Sequence, residues 1–246
     1  MTQPPGWYAV ALAGGVETGT STGTHLFGEE IVVWRDASGA AHAWEDRCPH
    51  RGMRLSMGFV RSDRIACLYH GWQYGTEGRC LYIPAHPEIQ VPPTIATWRH
   101  SCAEAMGMIW VHFGEAADEP SIPIAVDRRD VVPVRSLYVD RPAETVADHF
   151  AAAAPPPFPR EAEGKGIGRS PRREGLLVMH ALRDDNLLIG VVHPVDASRS
   201  ALHLVIVGDA NDYAGAGQLH FSRFAERLRD SIESGEPMQK AEPVPA

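Results

Sequence analysis

Two short stretches constrain this chain more than anything else in it. The first is Cys48-x-His50, and sixteen residues later comes Cys67-x-x-His70. Two thiols and two imidazoles at this spacing read as a metal centre clamped between two loops. A structural zinc site draws four ligands onto one ion, across knuckles of two to four residues. Cys48-x-His50 leaves a single residue between its donors, which is awkward for chelating one ion. A binuclear iron–sulfur cluster removes the difficulty, because each loop then gives one ligand to each iron. Cys48 and Cys67 would hold one iron as thiolates, and His50 and His70 the other through one ring nitrogen each. The remaining cysteines, Cys80 and Cys102, have no such neighbour and read as small core residues. Four cysteines are also too few for a disulfide scaffold.

Around these loops, from Trp7 to about Phe113, the text is strand-like. "THLFGEEIVVWRDASGAAHAWED" gives two β runs around the turn formers Asp36, Ser38 and Gly39. "RIACLYHGWQYGTEGRCLYIP" repeats that form around "GTEG", and "MGMIWVHF" is a further strand. Many short strands with Gly-rich turns predict a small antiparallel β domain over residues 1–115. Residues 116–130, acidic and then interrupted by prolines, read as a linker. Residues 131–235 predict a small α+β domain. It has a strand at "VVPVRSLYV", a helix at "AETVADHFAAAA" stopped by the prolines at 155–157, and a surface loop at 158–174. Three apolar strands follow, "GLLVMHAL", "NLLIGVVHPV" and "ALHLVIVG", with "RDDN" and "DASRS" as the turns. Phe221, Phe224, Ala225, Leu228 and Ile232 then fall on one face of a final helix that would cover the sheet. Residues 236–246 read as a disordered tail.

"CPHRG" followed by "CLYHGW" resembles the Rieske domain of the Rieske non-haem iron oxygenases, the ring-hydroxylating and demethylating enzymes. "GWYAVALAGGVE", "GEEIVVWRDASGAAHAWEDRCPHRGMRLSMGFV", "GRCLYIPAHP" and "MGMIWVHFGE" continue the likeness over roughly residues 6 to 115. The resemblance implies a Rieske-type β domain holding a [2Fe–2S] cluster on Cys48, His50, Cys67 and His70, followed by a reduced, helix-grip-like catalytic domain. The extra loop cysteines of respiratory Rieske proteins are missing. That places the expected potential toward the low end of the roughly −150 to +300 mV Rieske range. Arg51 and Trp72 flank the cluster, Arg51 either as a docking charge or as a solvated rim residue.

An oxygenase of this family also needs a mononuclear iron on a 2-His-1-carboxylate triad. Its signature is an Asp, a His three residues on, and a second His five residues after that. Aligned on Asp148, those histidines fall on Ala151 and Pro156, and His149 is one residue off, about 100° around a helix. A mononuclear Fe(II) is therefore not expected. His180, His193, His203 and His220 read as structural histidines. Asp148 itself matches the family aspartate that carries electrons between subunits, or else is a plain helix-face carboxylate. Arg169, Arg172 and Arg173 read as solvated loop charges.

The first functional expectation is an electron-transfer component. It would take electrons from a flavin or ferredoxin reductase and pass them to a catalytic oxygenase subunit, in a trimeric or mixed oligomer. The alternatives are a self-contained oxygenase with an atypical iron site and a redox-responsive regulatory or structural subunit. A net charge of −8 argues against nucleic acid or an anionic membrane as partner. With no Lys or Arg before Arg35 and no apolar run near 20 residues, the chain reads as soluble and cytoplasmic.

Overall fold

A computed structural model of the chain describes residues 4–114, 130–158, 170–182 and 185–238. It divides into two units, Met1–Ile122 and Pro123–Ala246. The expected linker lies outside the described residues except for Asp130, as does the expected tail from residue 239 onward.

The first unit is all antiparallel β. Its early strands are β1 (Gly6–Leu12), β2 (Ser21–Leu26), β3 (Glu29–Arg35) and β4 (Ala41–Glu45). Four short strands follow: β5 (Phe59–Arg61), β6 (Arg64–Ala66), β7 (Gln73–Gly75) and β8 (Cys80–Tyr82). The last are β9 (Arg99–His100), β10 (Cys102–Ala105) and β11 (Met108–Phe113). They form three sheets in the orders β2-β3-β4-β9, β1-β11-β10 and β5-β6-β7-β8.

β3 is why one unit can hold two cores. All of Ile31–Arg35 is buried, and alternate side chains leave a strand on opposite faces. Ile31 and Val33 join Val10, Val16, Ile109 and Val111 in one cluster. Val32 and Trp34 join Trp44, Leu55, Ile65, Tyr74 and both loop cysteines in the other. A buried arginine closes the first core. The Arg35 guanidinium donates to the carbonyls of Val16 (2.7 Å), Gly39 (2.7 Å) and Ala13 (3.0 Å), and it grips both oxygens of Glu104. Every donor is thereby satisfied, which a buried guanidinium requires.

The second unit is one five-stranded sheet with helices. Its elements are β12 (Val131–Val139), α1 (Ala143–Ala152), β13 (Arg172–Glu174), β14 (Leu177–Ala181), β15 (Leu187–Pro194), β16 (Ser200–Val207), α2 (Ala210–Tyr213) and α3 (Ala216–Ser234). The strand order is β12-β16-β15-β14-β13, antiparallel throughout. Pro133 is tolerated because β12 is an edge strand and bulges between Pro133 and Arg135. Phe221, Phe224, Ala225, Leu228 and Ile232 of α3 are all buried, and pack with Val146, Ala147 and Phe150 of α1 over Leu202, Leu204 and Ile206. The mainly antiparallel β fold followed by a small α+β unit with a C-terminal helix is therefore as the periodicity predicts.

The loop expected at 158–174 needs correction. Residues 159–169 lie outside the described residues, but Arg172–Glu174 is a strand, paired with β14 across a turn at Gly175 (φ 59°). No apolar alternation announces it, because an edge strand of Arg-Arg-Glu buries little. Its pairing depends on a glycine that adopts left-handed backbone without strain. Arg173 is likewise no solvated charge. It ion-pairs with Glu144 and Asp148 and so ties α1 to β13.

Candidate metal centre

Both donor-bearing loops are closed by the same two backbone hydrogen bonds. In the first, Cys48 N donates to Met53 O (2.8 Å) and Gly52 N to Cys48 O (2.8 Å). In the second, Cys67 N donates to Trp72 O (2.9 Å) and Gly71 N to Cys67 O (2.9 Å). Both turns end on a glycine in the left-handed region, Gly52 at φ 73° and Gly71 at φ 69°. The recurring unit is thus Cys-x-x-x-Gly. The histidine sits at its third position in one loop and its fourth in the other, which is why two differently spaced motifs give equivalent turns. Asp46 anchors the first loop by accepting from Ser56 N (2.7 Å) and Ser56 Oγ (2.5 Å).

The four donors come together as two pairs. Cys48 and Cys67 are buried with their thiols in contact. His50 and His70 lie outward of them, their rings edge to face with centroids 4.6 Å apart. Each imidazole has an aromatic neighbour. Trp72 stacks on His50 at 4.2 Å and 4°, and Tyr69 lies over His70 at 3.8 Å. Nδ1 of His50 is buried and has no hydrogen-bond partner. A buried ring nitrogen without a partner carries a desolvation cost that a metal bond would remove. Burial, helped by His70 and Arg51, keeps His50 below the usual imidazole pKa, so the neutral, ligating form is favoured.

The thiol pair has its own hydrogen-bond donors. Tyr74 on β7 places its hydroxyl 3.0 Å from Cys48 Sγ, and burial raises its pKa strongly, so the phenol stays protonated and is able to donate to a thiolate. Burial raises the Cys67 thiol, while the backbone N–H groups of Tyr69 and His70 pull it down. Among the described residues, no three His, Cys, Asp or Glu side chains are placed to hold a single metal ion. Two thiols inside and two imidazoles outside fit a two-iron cluster. Tyr74 is the functional residue that sequence reasoning missed. The available signal was its place in "HGWQYG", where Tyr74 follows directly on the second loop and is buried on β7.

Residues 6–93 match the family model described as Rieske [2Fe-2S] domain. This chain carries a Rieske domain. A Rieske domain implies a [2Fe–2S] cluster. Over 97 residues the chain is 42% identical to the oxidoreductase NdmD of Pseudomonas putida, which is 39% of this chain and 16% of that protein. Over 99 residues it is 37% identical to the oxygenase subunit of 3-chlorobenzoate-3,4-dioxygenase of Comamonas testosteroni, 40% of this chain and 23% of that protein. These matches thus span less than a quarter of either relative. The fold likeness is wider. NdmA of Pseudomonas putida CBB5 superposes with a TM-score of 0.70 at 23% identity, covering 98% of this chain and 84% of that one. Apo dicamba monooxygenase superposes with a TM-score of 0.70 at 16% identity, covering 94% and 85%. The fold likeness therefore extends past the Rieske domain into the second unit.

In that second unit the described histidines each have a hydrogen-bond partner within the chain. His180 Nε2 donates to Phe150 O (2.8 Å), and His220 Nε2 to Pro156 O (3.1 Å). His193 Nδ1 meets His203 Nε2 at 2.9 Å, and His203 Nδ1 meets Ser136 Oγ at 2.6 Å. His149 is exposed on α1 and donates back to Thr145 O (2.8 Å). Asp148 is exposed and held by Arg173. Cys80 is buried beside the cluster loops and Cys102 is half-buried, both as core residues. Among the described residues no helix is long and apolar enough to cross a membrane.

Proposed function

We propose that the chain is an electron-transfer oxidoreductase component. In this reading Cys48 and Cys67 would hold the inner iron as thiolates, and His50 and His70 the outer iron through one ring nitrogen each, Nδ1 in His50. Bound there, a [2Fe–2S] cluster supplies a one-electron carrier. The observation that carries the reading is the pairwise grouping of donors, thiols buried and imidazoles outermost, with His70 exposed. Tyr74 and the N–H groups of Tyr69 and His70 would stabilise charge on sulfur, and Trp72 would fix the His50 ring. Electrons would arrive from a flavin or ferredoxin reductase and leave for a partner that holds the catalytic iron.

The second unit supports placing the catalytic iron elsewhere. The inward face of α1 is Ala143, Val146, Ala147 and Phe150, an apolar set packed on α3 and the sheet. Ala151 and Pro156 stand where the resemblance puts iron-binding histidines. The whole-chain fold likeness favours a second reading, an oxygenase working alone. Iron and acid-labile sulfide per polypeptide separate the two. About two irons with two sulfides is the expected result. About three irons with two sulfides would replace the first reading with the second.

Asp148 is proposed as the point where electrons cross to a neighbouring subunit of an oligomer. Its exposure on α1 supports this, and its ion pair with Arg173 would hold it in place. Asp148→Asn is expected to slow electron delivery to the catalytic partner without changing cluster content. Equal rates in stopped-flow reoxidation would leave Asp148 as a partner of Arg173 and nothing more.

A further inference from the structure

The loops that carry the cluster donors differ in charge from the rest of the chain. Residues 46–99 contain seven arginines and no lysine, against Asp46, Asp63, Glu77 and Glu88, a net of +3 in a chain of −8. Three of the seven are neutralised: Arg54 by Glu30, Arg64 by Asp63 and Arg99 by Glu77. Arg51 follows His50 directly, is exposed, and has no carboxylate within ion-pair distance among the described residues. Arg47 is exposed too, and its guanidinium packs on the same loop. Its Nε lies 3.4 Å from where a Cβ on Gly52 would sit. On the other loop, Leu68 and Tyr69 are 49% and 53% exposed beside His70. The tip is thus a small apolar centre at one imidazole; at the other, Arg51 lies outside any ion pair among the described residues, with Arg47 beside it, partly offset by Glu30.

We infer that this tip docks an electron-carrier protein whose own surface is acidic, with Arg51 and Arg47 as the steering charges. The inference rests on the electron-transfer reading above and names the partner's chemistry. Local charge, not net charge, sets the sign of the attraction. Fields near a reacting site steer charged partners and are screened within about 10 Å at 0.1 M salt. The global charge of −8 would repel an anion, whereas the tip would attract it, so the two ideas predict opposite salt dependences.

Inorganic one-electron oxidants test this without the natural partner. The cluster-loaded protein is reduced with dithionite, freed of excess reductant, and mixed with hexacyanoferrate(III) or hexaammineruthenium(III). Each oxidant takes one electron from the reduced cluster, becoming hexacyanoferrate(II) or hexaammineruthenium(II), with no bond made or broken. Between about 20 and 500 mM salt the Debye length falls from ~20 to ~4 Å. The expected rate with the anion falls about tenfold across that range, the low end of steering effects, and the rate with the cation rises. Arg51→Lys should keep this slope, and Arg51→Glu should flatten or reverse it at an unchanged cluster spectrum. A reduced plant-type ferredoxin as donor, with a potential near −400 mV, should follow the anion. An anion rate that rises with salt, or does not change, overturns the inference. Rates indifferent to Arg51→Glu also overturn it. A cluster that dithionite cannot reduce would sink the electron-transfer reading itself, a result distinct from a wrong slope.

Discussion

Tyr74 shows how much of a candidate metal centre lies in residues outside the donor set. Its hydroxyl sits 3.0 Å from Cys48 Sγ inside a buried cluster of side chains, with a pKa raised by burial and by the cysteines. A donor that stays protonated stabilises negative charge on a ligating sulfur, and reduction adds such charge. Hydrogen bonds to sulfur are among the factors that set cluster potentials. Tyr74→Phe keeps the ring and the packing and removes only the donor. The expected outcome is a lower midpoint potential in a redox titration, with iron and sulfide content unchanged. An unmoved potential would show that the contact is packing alone. The four candidate donors stood out in the sequence because metal ligation dictates residue type and spacing. Tyr74 was not, because a hydrogen bond to sulfur asks only for a hydroxyl on the correct face of a short strand. Arg35 was hidden for a related reason. Its carboxylate partner, Glu104, lies 69 residues away, and no local pattern joins them.

At the scale of elements, the strands and the last helix were legible because each carries its own period. Ile31–Arg35 is an apolar run ending in a buried arginine, and α3 repeats apolar residues at helical spacing. β13 was not legible, since an edge strand of charged residues buries too little to leave a pattern. The packing of α1 on the sheet was also invisible, because it depends on one absent side chain. Gly190 lies in the middle of β15, where glycine weakens a strand, yet a Cβ there would stand 2.3 Å from Cε1 of Phe150. The glycine is what lets α1 settle onto β15 through a fully buried phenylalanine. Gly190→Ala should therefore destabilise the fold by about 1–3 kcal/mol, the usual cost of overpacking a core. Phe150→Leu in the same chain should recover part of that loss, because the smaller side chain makes room. Urea midpoints measure both. A neutral Gly190→Ala would mean that the helix shifts freely, and that Phe150 does not fix its position.

Across the whole molecule, several buried imidazoles make stability depend on acid. His203 is fully buried between Ser136 and His193, and burial together with His193 holds its pKa well below the usual value. His180, under Phe150, and His100, in the first unit, are lowered as well, chiefly by burial. A histidine whose folded pKa is depressed binds fewer protons folded than unfolded. Stability then rises with pH until the unfolded pKa of about 6.5 is passed. The stabilising contribution is fully present above that pH and is lost as pH falls below it. Each such proton contributes up to about 1.4 kcal/mol per pH unit. The carboxylates push the same way only at lower pH, since Asp36 titrates at about 2. The urea midpoint should therefore be flat from about pH 8 to 7 and decline between about pH 6.5 and 5, before most carboxylates protonate. His203→Gln is expected to lower the midpoint at pH 8, because it disturbs the Ser136–His203–His193 chain, but to shallow the decline between pH 6.5 and 5. A decline equally steep in the variant would assign the acid sensitivity to His180 and His100, and would mean that His203 takes up a proton as readily folded as unfolded.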